Sequence, residues 1–471
     1  MKSIFKDLEN YDDNTALFIG QTRISYQELQ STADELASQV KKRCLVLIGC
    51  NNSFSSLAGY VGFLRAGIVP LLVSNIIDKI LLTKVVEAYQ PDYLYLPIES
   101  AIPFQNCKTV FKHEDYVLIK NNNHSSYRLY DDLALLLSTS GSTGSPKYVR
   151  QSYRNIKSNT ESIARYLEIT EEDRAITTMP MNYTYGLSII NTHLFKGASV
   201  ILTDDSLVNK RFWEVLKGNK ATTLGGVPYI FEILKKLRFK YMKLPSLKYI
   251  TQAGGKLERE LCEEIANDSV QKGIKFYVMY GQSEATARIS YLPWEQAQYK
   301  PNSIGIPIPG GKIWLEDEQG AVIDKTYITG ELVYQGANVS LGYAENCFDL
   351  HKGDENQGIL YTGDLARRDK DDYYYIVGRK KRYIKMFGNR INLDEIEQLI
   401  LSEGNECACT GIDDALNIFI TKPEEENHIK KYISKKTGIH STGFKLIVVS
   451  ELPRNETGKV LYSELDSQHM N

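Results

Sequence analysis

An α/β protein is predicted, with a large N-terminal domain of parallel-rich sheets and helices, a small β-rich subdomain and a small α+β C-terminal domain. Three observations predict it: short apolar runs alternate with helical patterns through the first half, Gly, Pro and Asn punctuate short strands from 300 to 378, and a short mixed stretch follows a basic segment. The apolar runs are CLVLIG at 44–49, VPLLVS at 69–74, YLYLP at 93–97, LALLLS at 133–138, ASVILT at 198–203 and SLKYIT at 246–251. The helix-like SSLAGYVGFLRAG at 55–67 separates the first two. KIWLED, GELVYQG and DYYYIVG are the strands of the β-rich part. The basic segment GRKKRYIK at 378–385 ends it, so the chain divides into 1–380 and 381–471. Beyond the junction a helix is predicted at 393–402, a strand at ALNIFIT, a helix at EENHIKKYISKKT and a strand at FKLIVVSEL.

A chain of 471 residues exceeds what one hydrophobic core usually supports. Its hydrophobic content of 42% and charged content of 24% are those of an ordinary globular protein. A net charge of −2 creates no field that would gather nucleic acid or anionic membrane. The basic run Lys235, Lys236, Arg238, Lys240 and Lys243 reads as a solvated face before it reads as a polyanion site. Seven cysteines, odd in number and irregular in spacing, do not make a disulfide framework. Cys407 and Cys409 read as alternate residues of a strand. The opening MKSIFKDLENYDDN is too polar for a secretory signal, and no apolar run reaches the length of about 18 residues that a membrane span needs. A reduced, cytoplasmic setting is expected, with no membrane span and no nucleic-acid partner.

The most informative segment is LLLSTSGSTGSPKYVR at 135–150. A buried strand runs into Thr139, Ser140, Gly141, Ser142, Thr143 and Gly144, and Lys147 follows after Ser145 and Pro146. Glycines let the backbone approach a ligand, while hydroxyls and freed N–H groups donate to phosphate oxygens and Lys147 adds a point charge. Such a loop suits the β- and γ-phosphates of a nucleotide. A Walker-type loop would need Gly-Lys-Ser/Thr, and here Pro146 precedes the lysine and Tyr148 follows it. A merely flexible Gly/Ser loop is the competing reading.

Other segments decide between these. YGQSEAT at 280–286, GELVYQGANVSLGY at 330–343, YTGDLARRD at 361–369, VGRKKRYIKMFGNRINLDEIE at 377–397 and LPRNETGKVLY at 452–462 follow the loop in order. Together the six resemble the motifs of the acyl-adenylate-forming superfamily: acyl- and aryl-CoA ligases, peptide-synthetase adenylation domains and luciferases. The closest resemblance is to an AMP-forming acyl-CoA ligase. It covers nearly the whole chain, with Ser283 where the family usually has threonine.

The resemblance implies ATP and Mg²⁺ as cofactors, a small carboxylic acid as substrate, and CoA as second substrate. A phosphopantetheinyl carrier protein is the alternative acceptor. Tyr280, Gly281 and Gln282, with Gly254, Gly255 and Lys256, would form the adenine pocket, and Ser283 would hold the α-phosphate. Glu284 is the implied magnesium ligand, since a hard cation bridging phosphates needs an oxyanion. Asp364 would accept from the ribose hydroxyls, with Arg379 reaching ribose and phosphate from the other side. Lys459 would bridge the substrate carboxylate and the α-phosphate, and with Lys147 and Glu284 makes up the catalytic set. The small C-terminal domain would be mobile, pivoting at Lys381, and Gly388 would border the thiol tunnel.

The acyl pocket falls in TTMPMNYTYGLSIINTHLFKGA at 177–198, with Tyr183, Tyr185 and Gly186 as its residues. Amino-acid-activating relatives place an aspartate there to pair with the substrate ammonium. No Asp or Glu occurs between Asp173 and Asp204, which favours a small or medium acid without an α-amine.

Overall fold

The computed structural model describes residues 3–41, 43–104, 106–122, 126–138, 147–386, 389–412, 414–437, 441–454, 458–462 and 464–465. The chain forms two compact units. The first comprises Met1–Lys312 and Tyr334–Leu360, and the second Ile313–Val333 and Tyr361–Asn471. The β-rich segment at 300–378 is divided between them, with Ile313–Val333 and the stretch from Tyr361 grouped with the C-terminal part.

Two sheets dominate the first unit. The strands Leu45–Cys50, Val69–Ser74, Tyr93–Pro97 and Leu133–Ser138 pair in parallel at the centre of an eight-stranded sheet. Antiparallel strands, among them Tyr148–Ser152 and Gly342–Ala344, finish its edges. The second sheet has nine strands. Thr15–Ile19, Ser199–Leu202, Arg174–Ile176, Thr223–Gly226, Tyr249–Gln252 and Lys275–Tyr280 are parallel neighbours in that order. The central strands are buried on both faces, which is why they read as unbroken apolar runs and not as alternating ones.

Inward-facing residues of both sheets, such as Val46, Ile48, Leu17 and Val200, join one core with the helix Phe54–Arg65. Every residue of that helix but Arg65 is buried, as expected of a helix apolar all round. The helix Tyr26–Ser38 covers it and buries only Tyr26, Leu29, Ala33, Leu36 and Ala37. Ser25 and Glu28 start it with a capping box, each side chain taking the other's backbone N–H. A Cβ on Gly62 would stand 2.1 Å from the carbonyl oxygen of Ala33, so this glycine sets how closely the two helices approach.

Lys312–Glu316, Gly330–Gln335, Ile359–Arg368 and Tyr374–Arg379 form a four-stranded sheet. A hairpin of Tyr383–Met386 and Asn389–Asn392 follows. The strands Cys407–Ile412, Ala415–Ile420 and Phe444–Val448 make a three-stranded sheet, and the helices Leu393–Ser402 and Glu426–Thr437 bury Ile396, Ile400, Ile429 and Ile433 against it. Among the described residues no helix is long and apolar enough to cross a membrane. The basic run from Lys235 to Lys243 is exposed, with Lys235 paired to Glu264 at 3.0 Å.

Candidate active site

The strand Lys275–Tyr280 leaves the nine-stranded sheet and enters one 3₁₀ turn, Ser283–Ala285, which carries the YGQSEAT segment. The turn back is tight: a Cβ on Gly281 would stand 1.8 Å from the carbonyl oxygen of Ala287. Thr286 takes a φ of +64°, a costly conformation for a β-branched residue, so its surroundings must hold it. They do so through GANVSLGY. The Thr286 hydroxyl donates to the carbonyl of Asn338 at 2.7 Å. The Asn338 amide donates at 2.8 Å to the carbonyls of Ala285 and Arg288, and Ser340 N–H donates to the carbonyl of Glu284 at 2.8 Å. Asn338 is fixed in turn by the hydroxyl of Tyr334 at 2.7 Å. Each bond contributes about 1 kcal/mol net, but a buried amide left unmatched would cost more.

The same clamp delivers Tyr343. The strand Gly342–Ala344 pairs antiparallel with Tyr148–Ser152, setting Tyr343 opposite Val149 and bringing Lys147 beside it. Lys147 Nζ lies 3.8 Å from the centre of the Tyr343 ring, and the Tyr343 hydroxyl donates to Glu284 Oε1 at 2.6 Å. Burial first, and then the Glu284 carboxylate, hold the Tyr343 phenol well above its ordinary pKa, so it remains a proton donor. Arg150, fully buried, anchors this strand pair by donating to the carbonyls of Tyr343 at 3.0 Å and Leu341 at 2.9 Å and pairing with Glu355. Lys147 and Glu284, read from separate motifs, therefore meet through a tyrosine that sequence reasoning left without a role. Its position next to Gly342 in SLGY was the available signal.

Gly254 and Gly255 close the strand Tyr249–Gln252. Gly254 has a φ of +83°, and a Cβ there would stand 2.6 Å from the Tyr183 hydroxyl. Gln252 Nε2 fixes the turn by donating to the carbonyl of Gly255 at 2.8 Å. Lys256 is exposed, and half-buried Tyr280 accepts from Gln282 Nε2 at 3.3 Å. The backbone carbonyl of Ser283 accepts from Gln151 at 3.2 Å. The loop residues Thr139, Ser140, Gly141, Ser142, Thr143 and Gly144, and also Gly388, lie outside the described residues.

In the second unit Asp364 and Arg379 sit opposite each other on paired strands, and Arg379 Nε donates to Asp364 Oδ1 at 3.1 Å. The Asp364 side chain is 5% exposed and that of Arg379 63% exposed. Lys459, half-buried, follows Gly458 in a loop closed by an antiparallel bridge between Arg454 and Val460. Gly458 takes a φ of +79°, and its carbonyl accepts from Arg454 Nη1 at 2.6 Å. Lys381 is the middle residue of the 3₁₀ turn Lys380–Arg382. Beside it Arg382 joins Asp394 and Glu397, the latter at 2.5 Å, and lies 4.0 Å from the ring of Tyr462. The Tyr462 hydroxyl donates to Glu397 Oε2 at 3.1 Å. A half-buried ion cluster thus ties the junction segment to Tyr462.

Of the residues expected at the acyl pocket, Tyr183 precedes the helix Thr184–Phe195 and Tyr185 lies in its first turn. Gly186 is placed by packing, since a Cβ there would stand 2.4 Å from the Pro180 carbonyl oxygen. Tyr185 is buried and its hydroxyl lies 2.8 Å from the Thr251 carbonyl and 2.7 Å from the Thr251 hydroxyl. Across its ring, 4.2 Å from the centroid, stands the guanidinium of Arg288, which is 2% exposed. The two line a small cavity of about 20 Å³ with Ser188, Thr192, Tyr249 and Thr251, among others. His193 also lines it, and burial pushes its imidazole down to about 4, so it is neutral at pH 7. Arg288 was missed in the sequence, where it is one more arginine in ATARIS.

Comparison with known proteins now has a geometry to meet. Over 476 aligned residues the chain is 25% identical to 2-succinylbenzoate–CoA ligase of Geobacillus sp. (strain WCH70), covering 96% of this chain and 94% of that protein. It is 27% identical to oxalate–CoA ligase of Arabidopsis thaliana over 346 residues, 70% of this chain and 66% of that one. In fold it resembles o-succinylbenzoate coenzyme A synthetase of Bacillus subtilis, solved in complex with AMP. The TM-score is 0.80 at 23% identity, over 99% of this chain and 98% of the other. The family model described as AMP-binding enzyme matches residues 4–344, a span that includes Lys147, Glu284 and Tyr343. On that match, the chain belongs to the AMP-binding enzyme family.

Proposed function

We infer that this protein activates a small carboxylic acid with ATP, forming an acyl-adenylate and pyrophosphate, and transfers the acyl group to CoA. The observation that carries the reading is the contact of Lys147, Tyr343 and Glu284 at the foot of the strand that follows the hydroxyl-rich loop. A cation and a carboxylate held 3.8 Å and 2.6 Å from one tyrosine suit a nucleotide triphosphate with its metal. CoA is preferred to a carrier protein as acceptor because the relative matched over nearly its full length is named a CoA ligase.

The motif resemblance supplies the residue roles of this reading. Lys147 and the loop residues Thr139, Ser140, Gly141, Ser142, Thr143 and Gly144 bind the β- and γ-phosphates. Tyr280, Gly281 and Gln282 take the adenine with Gly254, Gly255 and Lys256, Ser283 the α-phosphate, and Asp364 with Arg379 the ribose. Among the described residues no cluster of three or more metal-ligating side chains exists. That fits Mg²⁺, which is held by one or two carboxylates plus phosphates and water, and Glu284 would hold it. When bound, the metal would neutralise phosphate charge. Lys459 supplies a cation to the two anions that meet during adenylation. The substrate carboxylate is itself the nucleophile, so no general base is needed, and neutral His193 is no obstacle. A turn at Lys381 withdraws Lys459 for the thioester step, and Gly388 leaves room for the thiol. The absence of acidic residues around Tyr183, Tyr185 and Gly186 argues for an acid without an α-ammonium group. A cytoplasmic setting goes with all seven cysteines being free.

The test is exchange of labelled pyrophosphate into ATP across a panel of carboxylic acids, repeated with CoA. Acid-dependent exchange is expected, with AMP and thioester forming in equal amounts once CoA is added. Exchange without thioester would remove the CoA step, and no acid-dependent exchange would remove the activation.

A further inference from the structure

Arg288 presents an imbalance that the activation chemistry leaves unexplained. It is buried, and arginine keeps its charge in proteins. Its partners among the described residues include the Met279 sulfur at 3.4 Å from Nε, the carbonyl of its neighbour Ala287 at 3.2 Å from Nη1, the Ser188 hydroxyl at 3.4 Å from Nη2 and the neutral Tyr166 phenol. None is an anion. The Tyr185 ring, 4.2 Å away, offsets only part of the cost of burying a guanidinium.

The cavity beside it is lined by groups that could turn toward an anion. Ser188, Thr192, Thr223, Thr251 and Tyr249 bring hydroxyls, His193 is neutral, and no carboxylate lines it. At about 20 Å³ it has room for one small polar group and not for an aryl ring. Arg288 lies four residues after Glu284 on the segment clamped by Asn338, and Tyr185 forms the shared wall with the acyl region.

We propose that Arg288 is the specificity residue for the acid, and that the substrate carries a second carboxylate at the end remote from the activated one. The inference rests on the acid-activating role proposed above and names its substrate class. The second carboxylate accepts from the guanidinium and from the hydroxyls around it.

The test compares matched acids of equal chain length, butyrate with succinate and propionate with malonate. Pyrophosphate exchange and calorimetric binding are both followed, in wild type, Arg288→Met and Arg288→Lys. Wild type should favour the diacid of at least one pair by about tenfold or more, the scale of one charge-assisted contact. Arg288→Met should abolish or reverse that preference, and Arg288→Lys should retain part of it. Without ligand, Arg288→Met should unfold at the same temperature as wild type or higher, because an uncompensated buried charge has been removed. A variant that melts lower and keeps the diacid preference would make Arg288 structural and overturn the proposal. Exchange with monoacids alone would overturn it while the activating role stands. Arg288-dependent diacid binding without exchange would uphold it and sink the activating role.

Discussion

In the first unit Glu284 sits on a turn whose carbonyls are held by Asn338 and Ser340, and Tyr343 arrives on a strand paired to the one beside Lys147. In the second unit Lys459 stands between Gly458, whose carbonyl accepts from Arg454, and Val460, which forms an antiparallel bridge with Arg454. The first arrangement is built from buried hydrogen bonds between segments far apart in the chain. The second is local, and its firm part is the cluster of Arg382, Glu397 and Tyr462 next to it. The difference matches the two tasks proposed. Binding a triphosphate rewards groups fixed before the ligand arrives, whereas a cation needed in one half-reaction only must be releasable.

If that contrast is right, the largest effect belongs to the loop. Lys459→Ala should lower adenylate formation by about 10³-fold, since a contact made only in the transition state is lost. Thioester formation from supplied acyl-adenylate should survive, and near-normal pyrophosphate exchange would remove Lys459 from the chemistry.

A smaller and opposite effect is expected at the junction. Proline at Lys381 fixes φ in the 3₁₀ turn and resists reorientation. Lys381→Pro should leave exchange largely intact and slow the CoA step by about 10²-fold, measured by single-turnover thioester formation. Equal loss in both steps would make Lys381 structural.

The smallest effect tests the preformed site. Tyr343→Phe keeps the ring beneath Lys147 and removes the hydroxyl from Glu284. Exchange should fall by about tenfold, the worth of one hydrogen bond to a charged group, and show mainly as a weaker response to Mg²⁺. A loss as large as that of Lys459→Ala would mean that Tyr343 acts in the reaction and not through Glu284.

Much of this could be read before any coordinates. The apolar runs at 45–50, 69–74, 93–97 and 133–138 are strands within a residue of where they were expected, because strands buried on both faces leave a continuous apolar signature. The helices Leu393–Ser402 and Glu426–Thr437 were equally legible from their periodicity. Lys147 and Glu284 were identifiable as a cation and a carboxylate in motifs, yet their link was not. The strand carrying Arg150, which starts just after Lys147, meets Tyr343 across 193 residues of chain, and nothing local announces that pairing. The grouping of Ile313–Val333 with the C-terminal stretch is equally unannounced, since its texture does not tell which neighbours its strands will choose.

Arg288 shows the same division most sharply. That position 288 is a permanent cation follows from the residue type and needs no fold. That this cation is buried, stacked on Tyr185 and without an anionic partner among the described residues follows from elements brought from about positions 185, 250 and 280 to one place. Charge, backbone preference and hydrophobic period belong to a residue and its near neighbours, so they are written in the order of amino acids. Burial and partnership depend on which distant segments pack together, and they turn an unremarkable arginine in ATARIS into the group that selects the acid.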